Sequence, residues 1–332
     1  MNASIVIPTK NGGSRFSDVI RAIKSQKTTY EYEVIVVDSG STDNTVSLAK
    51  DAGFKVYEIE PKDFGHGKTR NYGASLGCGE YIIFLTQDAT PADDKWIDAM
   101  LSAMYANPDA AGAFGRHLPY EDCNLPDQQM LENHFNRFLD AGDKVSESVI
   151  VYYLDDSSRE RFETDKDFEQ LYAFFSDNNS CLKRSVWEEI PYEDVDFAED
   201  QIWAKAILEK GLKKLYVDDA RVKHSHDYPL KEYGKRYFDD FKALYSTYEA
   251  SYCKGGFDYW HKVLGDTKYN VGYIRRRADL SFLAKLKWSI YSFKRNKLRY
   301  KAAIDAVEYF SFDEEKKKLM DIKYSQAYEN RG

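Results

Sequence analysis

Glu33-Val-Ile-Val-Val-Asp38, a run of four apolar residues between two acids, decides the fold of this chain. Three further short segments with the pattern of strands lie on either side of it in the sequence, at 4–8, 55–59 and 81–85. Three segments between the runs have the patterns of helices: 17–27, 42–50 and 68–76. Strands that alternate with helices in this way predict βαβ units. We therefore expect an α/β fold, with a mainly parallel sheet flanked by helices.

Polar residues follow three of the predicted strands at the point where each strand ends. Pro8-Thr-Lys-Asn11 follows the first run, Asp38-Ser-Gly-Ser-Thr-Asp43 the second, and Gln87-Asp88 the fourth. In open α/β sheets, ligands bind beyond the carboxyl ends of the strands. Loops collect polar residues for other reasons as well, so this coincidence alone gives modest support for a binding site.

The rest of the chain divides into regions of different pattern. Residues 119–170 are rich in charged and aromatic residues and are expected to shape an acceptor pocket. Asp177-Asn-Asn-Ser180 is interpreted as a polar turn before a helix. Beyond about residue 230 the pattern is mostly helical, so we predict two domains. They are a catalytic domain of residues 1–230 and a helical, basic region of residues 231–332.

Composition restricts the class of protein and the kind of partner. The net charge is −8, yet residues 231–332 hold 22 basic and 14 acidic residues, against 25 and 41 in residues 1–230. An acidic chain is a poor nucleic-acid binder, whereas its basic end predicts an anionic partner. The four cysteines form no CxxC motif, and no apolar stretch approaches 18 residues. We therefore predict a cytoplasmic protein without a transmembrane segment. The sequence leaves the oligomeric state open.

Three acids lie where catalysis could use them. Asp88 follows an apolar strand, where a carboxylate could bind a hard cation beside a diphosphate leaving group. An aspartate at this position is explained equally well as the N-cap of the next helix. Glu199 and Asp200 open a predicted helix, and one of them could be the general base for an acceptor hydroxyl. Acids in the first turn of a helix are also common without any catalytic role.

Two further motifs could contact phosphate or metal. Gly65-His-Gly-Lys68, with Arg70, is a basic turn at a predicted helix start, where phosphate is attracted. The chain lacks both the Walker motif and the GxGxxG dinucleotide fingerprint. His224-Ser-His226 follows a predicted strand, and alternation puts both imidazoles on one side if the strand continues. One of them could then ligate a metal or contact diphosphate. Two histidines without further ligands are a weak signal for zinc.

Taken in order, these motifs resemble the family 2 glycosyltransferases of the GT-A fold. The matching stretches are Ile5-Val-Ile-Pro-Thr-Lys-Asn11, Val34-Ile-Val-Val-Asp-Ser-Gly-Ser-Thr-Asp43, Gly67-Lys-Thr-Arg-Asn-Tyr-Gly-Ala74, Tyr81-Ile-Ile-Phe-Leu-Thr-Gln-Asp88 and Glu199-Asp200. The resemblance covers about residues 3–226. It implies a Rossmann-like GT-A domain that transfers a sugar, with inversion, from a nucleotide-sugar donor.

The resemblance also implies a role for each matching residue. The residues implied to bind the nucleotide are Pro8, Thr9, Asn11, Asp38, Lys68 and Arg70. Among them, Asp38 would contact the base, and the last two would contact the ribose and diphosphate. Mg²⁺ or Mn²⁺ would be bound by Asp88, the acid of the DxD motif, and His224 or His226 would complete the metal or diphosphate site. Asp200 would be the catalytic base, with Glu199 beside it.

The chain departs from the family pattern at one position. The DxD motif would have its first acid at position 86, where Thr86 stands, followed by Gln87. Asp88 is therefore the one acid of the motif that this chain keeps. Thr86-Gln-Asp-Ala89, with Asp63-Phe-Gly-His-Gly-Lys-Thr-Arg70 before it, resembles the rhamnosyltransferase branch. That branch implies dTDP-L-rhamnose as donor and a glycan or lipid-linked glycan of a bacterial cell-surface polysaccharide as acceptor.

The basic end of the chain has the pattern of an amphipathic helix. Ten basic residues lie between Arg275 and Lys301, and Asp279 is the one acid among them. Apolar residues such as Phe282 and Trp288 are interleaved with them. This pattern is typical of binding to a membrane surface, and a helix packed on a domain with a solvated basic face has the same pattern. We predict peripheral binding to the anionic inner face of the cell membrane.

Three alternatives remain open. The same fold could use a UDP-sugar donor. A nucleotidyltransferase would instead consume free NTP and release pyrophosphate. A non-catalytic subunit that binds sugar or nucleotide is favoured by the missing acid at position 86, whereas the intact Glu199-Asp200 pair favours an enzyme.

Overall fold

This computed structural model describes residues 1–195 and 198–325. The chain forms two compact units, one of Met1–Tyr120 and Leu131–Ser225, the other of Glu121–Met130 and His226–Gly332. The second unit thus takes up a short segment that the sequence analysis assigned to the first domain.

The first unit is built on one sheet of ten strands. They are β1 (Ala3–Thr9), β2 (Tyr32–Asp38), β3 (Lys55–Glu58), β4 (Tyr81–Leu85), β5 (Thr90–Pro91), β6 (Ala110–Leu118), β7 (Asp143–Lys144), β8 (Val149–Tyr152), β9 (Asn179–Lys183) and β10 (Lys213–Lys223). Their order is β3-β2-β1-β4-β9-β6-β10-β8-β7, and β5 pairs with β10. The first four strands are parallel neighbours, whereas β9 runs antiparallel to β4 and β6. The α/β prediction is confirmed, with a mixed sheet.

Helices flank this sheet. They are α1 (Gly13–Lys24), α2 (Thr45–Asp51), α3 (His66–Leu76), α4 (Trp96–Ala106), α6 (Asp156–Thr164), α7 (Lys166–Ala173), α8 (Arg184–Glu189) and α9 (Glu199–Glu209). A further helix, α5 (Leu125–Asn136), begins in the second unit and ends in the first. Alternate residues of the central strands enter two separate cores: Ile5 and Ile7 of β1 pack in one, Val6 in the other. β1 is buried on both faces, which explains why residues 5–8 are a continuous apolar run.

The second unit is helical. Its helices after residue 226 are α10 (Leu230–Tyr248), α11 (Gly256–Arg276), α12 (Phe282–Tyr309) and α13 (Glu314–Tyr324). Aromatic residues of α10, such as Tyr237 and Phe238, share a core with Val263 of α11 and Ala303 of α12. Among the helices of the described chain, none is apolar over a stretch long enough to cross a bilayer.

One segment differs from the prediction in a way that matters for the site. The predicted polar turn at residues 177–180 leads directly into β9, which lies in the middle of the sheet. Asn179 is fully buried there: its side-chain oxygen accepts a hydrogen bond from Trp96 Nε1 (2.8 Å), and its amide donates one to Ala220 O (2.7 Å). Because these partners satisfy the amide inside the core, a polar residue can open a central strand.

Candidate functional site

The loop after β2 is built around a buried carboxylate. The parallel register sets Thr9 opposite Asp38, and Thr9 Oγ1 donates a hydrogen bond to Asp38 Oδ2 (2.9 Å). The backbone N–H groups of Gly40 and Ser41 donate to Asp38 Oδ1 (3.0 and 2.7 Å). Asp38 is therefore a fixed acceptor that shapes this loop, and its predicted contact with a nucleotide base stays a prediction.

Side-chain amides join the loops that follow β1, β2 and β4. Asn11, in the left-handed region at φ 49°, accepts a hydrogen bond from Thr42 N (2.8 Å). Asparagine tolerates this backbone conformation better than most residues. Gln87 accepts from Lys10 N (2.9 Å) and donates to Lys10 O (3.1 Å). The three strand ends, with half-buried Pro8 at the first, therefore form one connected edge.

Asp88 and His224 face each other in the first unit. His224 Nε2 lies 3.6 Å from Asp88 Oδ1, and both side chains are partly exposed. Two ligands of one cation at about 2.1 Å lie roughly 3 to 3.5 Å apart, so this carboxylate and imidazole fit a shared divalent ion. Tyr120 holds the backbone of Asp88 by donating from its hydroxyl to Asp88 O (3.0 Å). His226, the third predicted ligand, belongs to the second unit and is the first residue of its segment 226–332.

His117 packs against this pair, although the sequence did not distinguish it. Its ring lies edge-on to that of His224, with 5.4 Å between the centroids. Burial lowers the pKa of His117 well below its usual range, so the imidazole is neutral. Within residues 1–195 and 198–325, its Nε2 has no hydrogen-bond partner. A neutral ring at this position adds no positive charge beside the predicted metal ligands.

Lys68 and Arg70 leave α3 in different directions. Residues two positions apart on a helix lie about 200° apart around its axis. Lys68 is exposed, whereas Arg70 is buried. The Arg70 guanidinium donates to Glu199 Oε1 (2.5 Å), and its Nε lies 3.3 Å from Asp177 Oδ2. The predicted phosphate contact of Arg70 therefore competes with two acids that already hold it.

Asp177 links Arg70 to Asp200, and the sequence analysis did not single it out. Its Oδ1 accepts hydrogen bonds from Ser180 Oγ (2.6 Å) and Tyr192 Oη (2.7 Å). Its backbone N–H donates to Asp200 Oδ2 (3.1 Å). The start of β9 thus fixes the carboxylate that opens α9. We refer to Arg70, Asp177, Glu199 and Asp200 as the acid cluster.

The acid cluster has one guanidinium for three carboxylates. Asp177 and Glu199 are 1% and 5% exposed, whereas Asp200 is only half-buried. Burial, and then the charges of Glu199 and Asp177, raises the pKa of Asp200 well above its usual range. Burial also raises the pKa of Asp177 to about 6, although Arg70 opposes the shift. Asp200 is therefore the one carboxylate of the cluster that combines partial exposure with a raised pKa.

A strained turn delivers this carboxylate. Ala198, immediately before α9, has a left-handed backbone with φ 63°. That conformation costs a residue with a Cβ atom roughly 1–2 kcal/mol. The contacts of Glu199 and Asp200 within the acid cluster offset this strain.

The predicted metal pair and the acid cluster share one edge of the sheet. In the antiparallel pairing of β4 and β9, Leu85 lies opposite Asn179. The chain that leaves β4 toward Asp88 therefore emerges beside the chain that enters β9 from Asp177.

Comparison with known proteins identifies the family. The profile of Glycosyl transferase family 2 matches residues 4–153. The O-antigen chain rhamnosyltransferase RfbN of Salmonella typhimurium is 37% identical over 245 residues, which cover 72% of this chain and 71% of that protein. The chain belongs to glycosyltransferase family 2. The O-antigen chain rhamnosyltransferase WbaN of Salmonella anatum is 29% identical to this family 2 glycosyltransferase over 240 residues, 71% of this chain and 70% of WbaN.

Solved structures agree on the fold. A mannosyltransferase of Pyrobaculum calidifontis, in complex with GDP-Man and Mn²⁺, is similar at a TM-score of 0.58 over 94% of this chain and 88% of that one. TarS 1–349 of S. aureus, in complex with UDP-GlcNAc, is similar at 0.52 over 96% and 92%. Both are 14% identical to this chain, so they show the GT-A fold and nothing finer.

Proposed function

We propose that this family 2 glycosyltransferase transfers L-rhamnose from dTDP-L-rhamnose, with inversion, to a hydroxyl of a glycan or lipid-linked glycan. The product would be a cell-surface polysaccharide, made in the cytoplasm at the inner face of the membrane. The names of two relatives, both O-antigen chain rhamnosyltransferases, support the sugar and the pathway class. The observation that carries the chemistry is the open, basic carboxylate of Asp200 in the acid cluster.

Asp200 is the proposed general base. It accepts the proton of the acceptor hydroxyl while that oxygen attacks the anomeric carbon, and the bond from this carbon to the nucleoside diphosphate breaks. A raised pKa makes a carboxylate a stronger base once it is ionised. The hydrogen bond from Asp177 N keeps the carboxylate in place. Arg70 pairs with Glu199, so we propose that both position the base and that neither transfers the proton.

Asp88, His224 and His226 are the proposed ligands of a divalent cation, Mg²⁺ or Mn²⁺. When bound, this ion would supply charge stabilisation for the departing diphosphate. The carboxylate of Asp88 suits either ion, because both Mg²⁺ and Mn²⁺ bind oxygen ligands. The set also provides ligands in place of the acid that is missing at Thr86.

The proposed nucleotide site lies at the connected ends of β1 and β2. Pro8, Thr9 and Asn11 border it on the first loop, and Asp38 shapes the second. Of the two predicted phosphate contacts, we assign the contact to exposed Lys68, because the acid cluster holds Arg70.

A thermal-shift panel of nucleotides and nucleotide sugars tests the donor. At a concentration a hundredfold above the Kd measured with Mn²⁺, we expect dTDP and dTDP-L-rhamnose to stabilise the protein by about 2.7 kcal/mol. At the same concentration without Mn²⁺ the stabilisation should be smaller, because the Kd is then larger. Asp88→Asn should remove the Mn²⁺ dependence and leave the metal-free response unchanged. A response to UDP species alone would keep the transferase and discard rhamnose. Pyrophosphate released from NTP would indicate a nucleotidyltransferase, and no response to any nucleotide would favour a non-catalytic subunit.

A further inference from the structure

The outer faces of α11 and α12 concentrate exposed apolar side chains. Of the sixteen large apolar residues that are exposed in the described chain, eight lie within residues 257–290. They are Phe257, Trp260, Leu264, Tyr269, Phe282, Leu283, Leu286 and Ile290. Phe257 and Phe282 are 86% and 79% exposed. Scattered exposed apolar residues need no explanation, but a concentration of this kind marks an interaction surface.

Helical spacing aligns these side chains. On α12, Leu283, Leu286 and Ile290 follow one another at three- and four-residue steps, as neighbours on one face do. On α11, Trp260 and Leu264 have the same relation, and Val263 is buried in the core instead. On α12 the exposed apolar face is opposite the face in the core of the second unit, whereas on α11 it lies beside the buried face.

The two exposed faces are continuous with each other. The Lys297 ammonium of α12 lies 5.7 Å from the ring centroid of Trp260 on α11. Near the other ends of the helices, Lys285 Nζ donates a hydrogen bond to Arg275 O (3.0 Å). The helices thus lie side by side and antiparallel.

The same surface is strongly basic. Of the eight charged side chains that are exposed between residues 256 and 301, seven are basic: Lys268, Arg275, Arg276, Lys287, Lys294, Lys297 and Lys301. The one acid, Asp279, is paired with Arg277 (2.8 Å). The partly exposed Asp266 accepts a hydrogen bond from Tyr300 Oη (2.6 Å) within the unit. We call these seven basic and eight apolar residues the hairpin face.

We propose that the hairpin face binds the surface of an anionic lipid membrane, with α11 and α12 lying along it. Lysine and arginine would contact the headgroups, while the apolar side chains enter the boundary between headgroups and acyl chains. A second copy of this chain fits poorly, because two-fold symmetry would set the seven basic residues against the same seven. Nucleic acid would leave Leu264, Leu283 and Leu286 uncovered. The hairpin face lies wholly in the second unit, so this inference goes beyond the transfer reaction and does not depend on the donor.

Co-sedimentation of the full chain with vesicles tests the proposal. One set holds equal parts of phosphatidylcholine and phosphatidylglycerol, and the other holds phosphatidylcholine alone. We expect binding to the anionic set only, weakened by salt. Each basic residue near the surface contributes roughly five-fold in affinity, so K287E/K294E/K297E should bind at least about 100-fold more weakly. The matched control, K24E/K144E/K210E, reverses three exposed lysines of the first unit and should bind like the unmodified chain.

Apolar insertion needs a separate variant. L283S/L286S keeps every charge and should lower anionic-vesicle binding at high salt, where screening weakens the electrostatic part. Equal binding to both vesicle sets, no binding, or equal losses in both lysine variants would overturn the proposal. So would dimerisation in sedimentation velocity that K287E/K294E/K297E abolishes. The dTDP response of each variant, measured by thermal shift, separates failure of this proposal from failure of the proposed transfer.

Discussion

Two buried arginines, one in each unit, meet carboxylates in different proportions. Arg70 in the first unit faces the three carboxylates of the acid cluster. Arg295 in the second unit is 1% exposed and forms its ion pair with Asp127. Asp127 also accepts hydrogen bonds from the side chains of Tyr233 and Asn124, so its charge is neutralised and its oxygens are satisfied.

The difference distinguishes a structural ion pair from a reactive one. A buried pair with equal charges can hold helices together without perturbing either group in a way that chemistry can use. In the acid cluster, burial and then the negative charges of Glu199 and Asp177 raise the pKa of Asp200. Perturbed carboxylates of this kind concentrate at functional sites. The ratio of acids to arginine, rather than burial alone, points to the first unit as the place of catalysis.

The largest effect should come from Asp200→Asn. Loss of a general base typically costs 10²–10⁴-fold in rate, so we expect turnover to fall by about 10³-fold. Donor binding, measured by thermal shift, should stay within about two-fold, because the amide keeps the shape of the side chain. The matched variant in the second unit, Asp127→Asn, should lower stability and leave turnover per folded molecule unchanged. Near-normal turnover in Asp200→Asn would mean that another group accepts the proton.

Replacing each arginine by methionine in a separate variant distinguishes an effect on stability from an effect on turnover. Each variant leaves buried acid without its cation, which typically costs about 3–5 kcal/mol in the free energy of unfolding. In Arg70→Met the carboxylate of Asp200 also loses its support, and small displacements of this kind cost about 10²-fold in turnover. Arg295→Met should keep its turnover per folded molecule. Denaturant unfolding and initial rates measure both quantities, and equal loss of turnover in the two variants would contradict the comparison.

The pH dependence of turnover should report the excess charge. Asp200 must be ionised to accept a proton, so turnover should fall as the pH decreases through its raised pKa. Asp177→Asn removes a neighbouring negative charge, which lowers the pKa of Asp200. The acid limb, which is the low-pH side of the plot of turnover against pH, should therefore move by about one unit to lower pH. Asp127→Asn should leave the limb in place. An acid limb that Asp177→Asn does not move, or moves upward, would show that another group sets it.

The sequence predicted the fold better than the site. β1, β2 and β4 are buried on both faces, so they are continuous apolar runs, and their polar ends mark the binding edge. β9 was missed because Asn179 and Ser180 satisfy their polar atoms inside the core and give no hydrophobic signal. A strand that pairs antiparallel between distant neighbours also has no local signature.

Within the acid cluster, the sequence indicated the members but not their relations. Glu199 and Asp200 are adjacent in the chain, yet only the structure shows that one faces Arg70 and the other stays open. Asp177 belongs to the cluster through pairing of β9 with β4, which no spacing within residues 177–200 reveals. Arg70 was expected at phosphate, because a basic residue near a helix start is typical of such a contact. Its direction depends on helix rotation against α9, a tertiary effect.

The smallest effect we expect comes from relieving backbone strain at one residue in each unit. Ala198 before α9 and Glu249 after α10 are non-glycine residues in the left-handed region, at φ 63° and 52°. Glycine adopts this region freely, so Ala198→Gly and Glu249→Gly should each raise the free energy of unfolding by up to about 1 kcal/mol. Ala198→Gly should also loosen the turn that positions Asp200 and lower turnover about two-fold. Because Glu249 lies in the second unit, its variant should gain stability with no change in rate. If both variants kept full turnover, the strain before α9 would be a feature of chain geometry alone, and the position of Asp200 would rest on its contacts with the acid cluster.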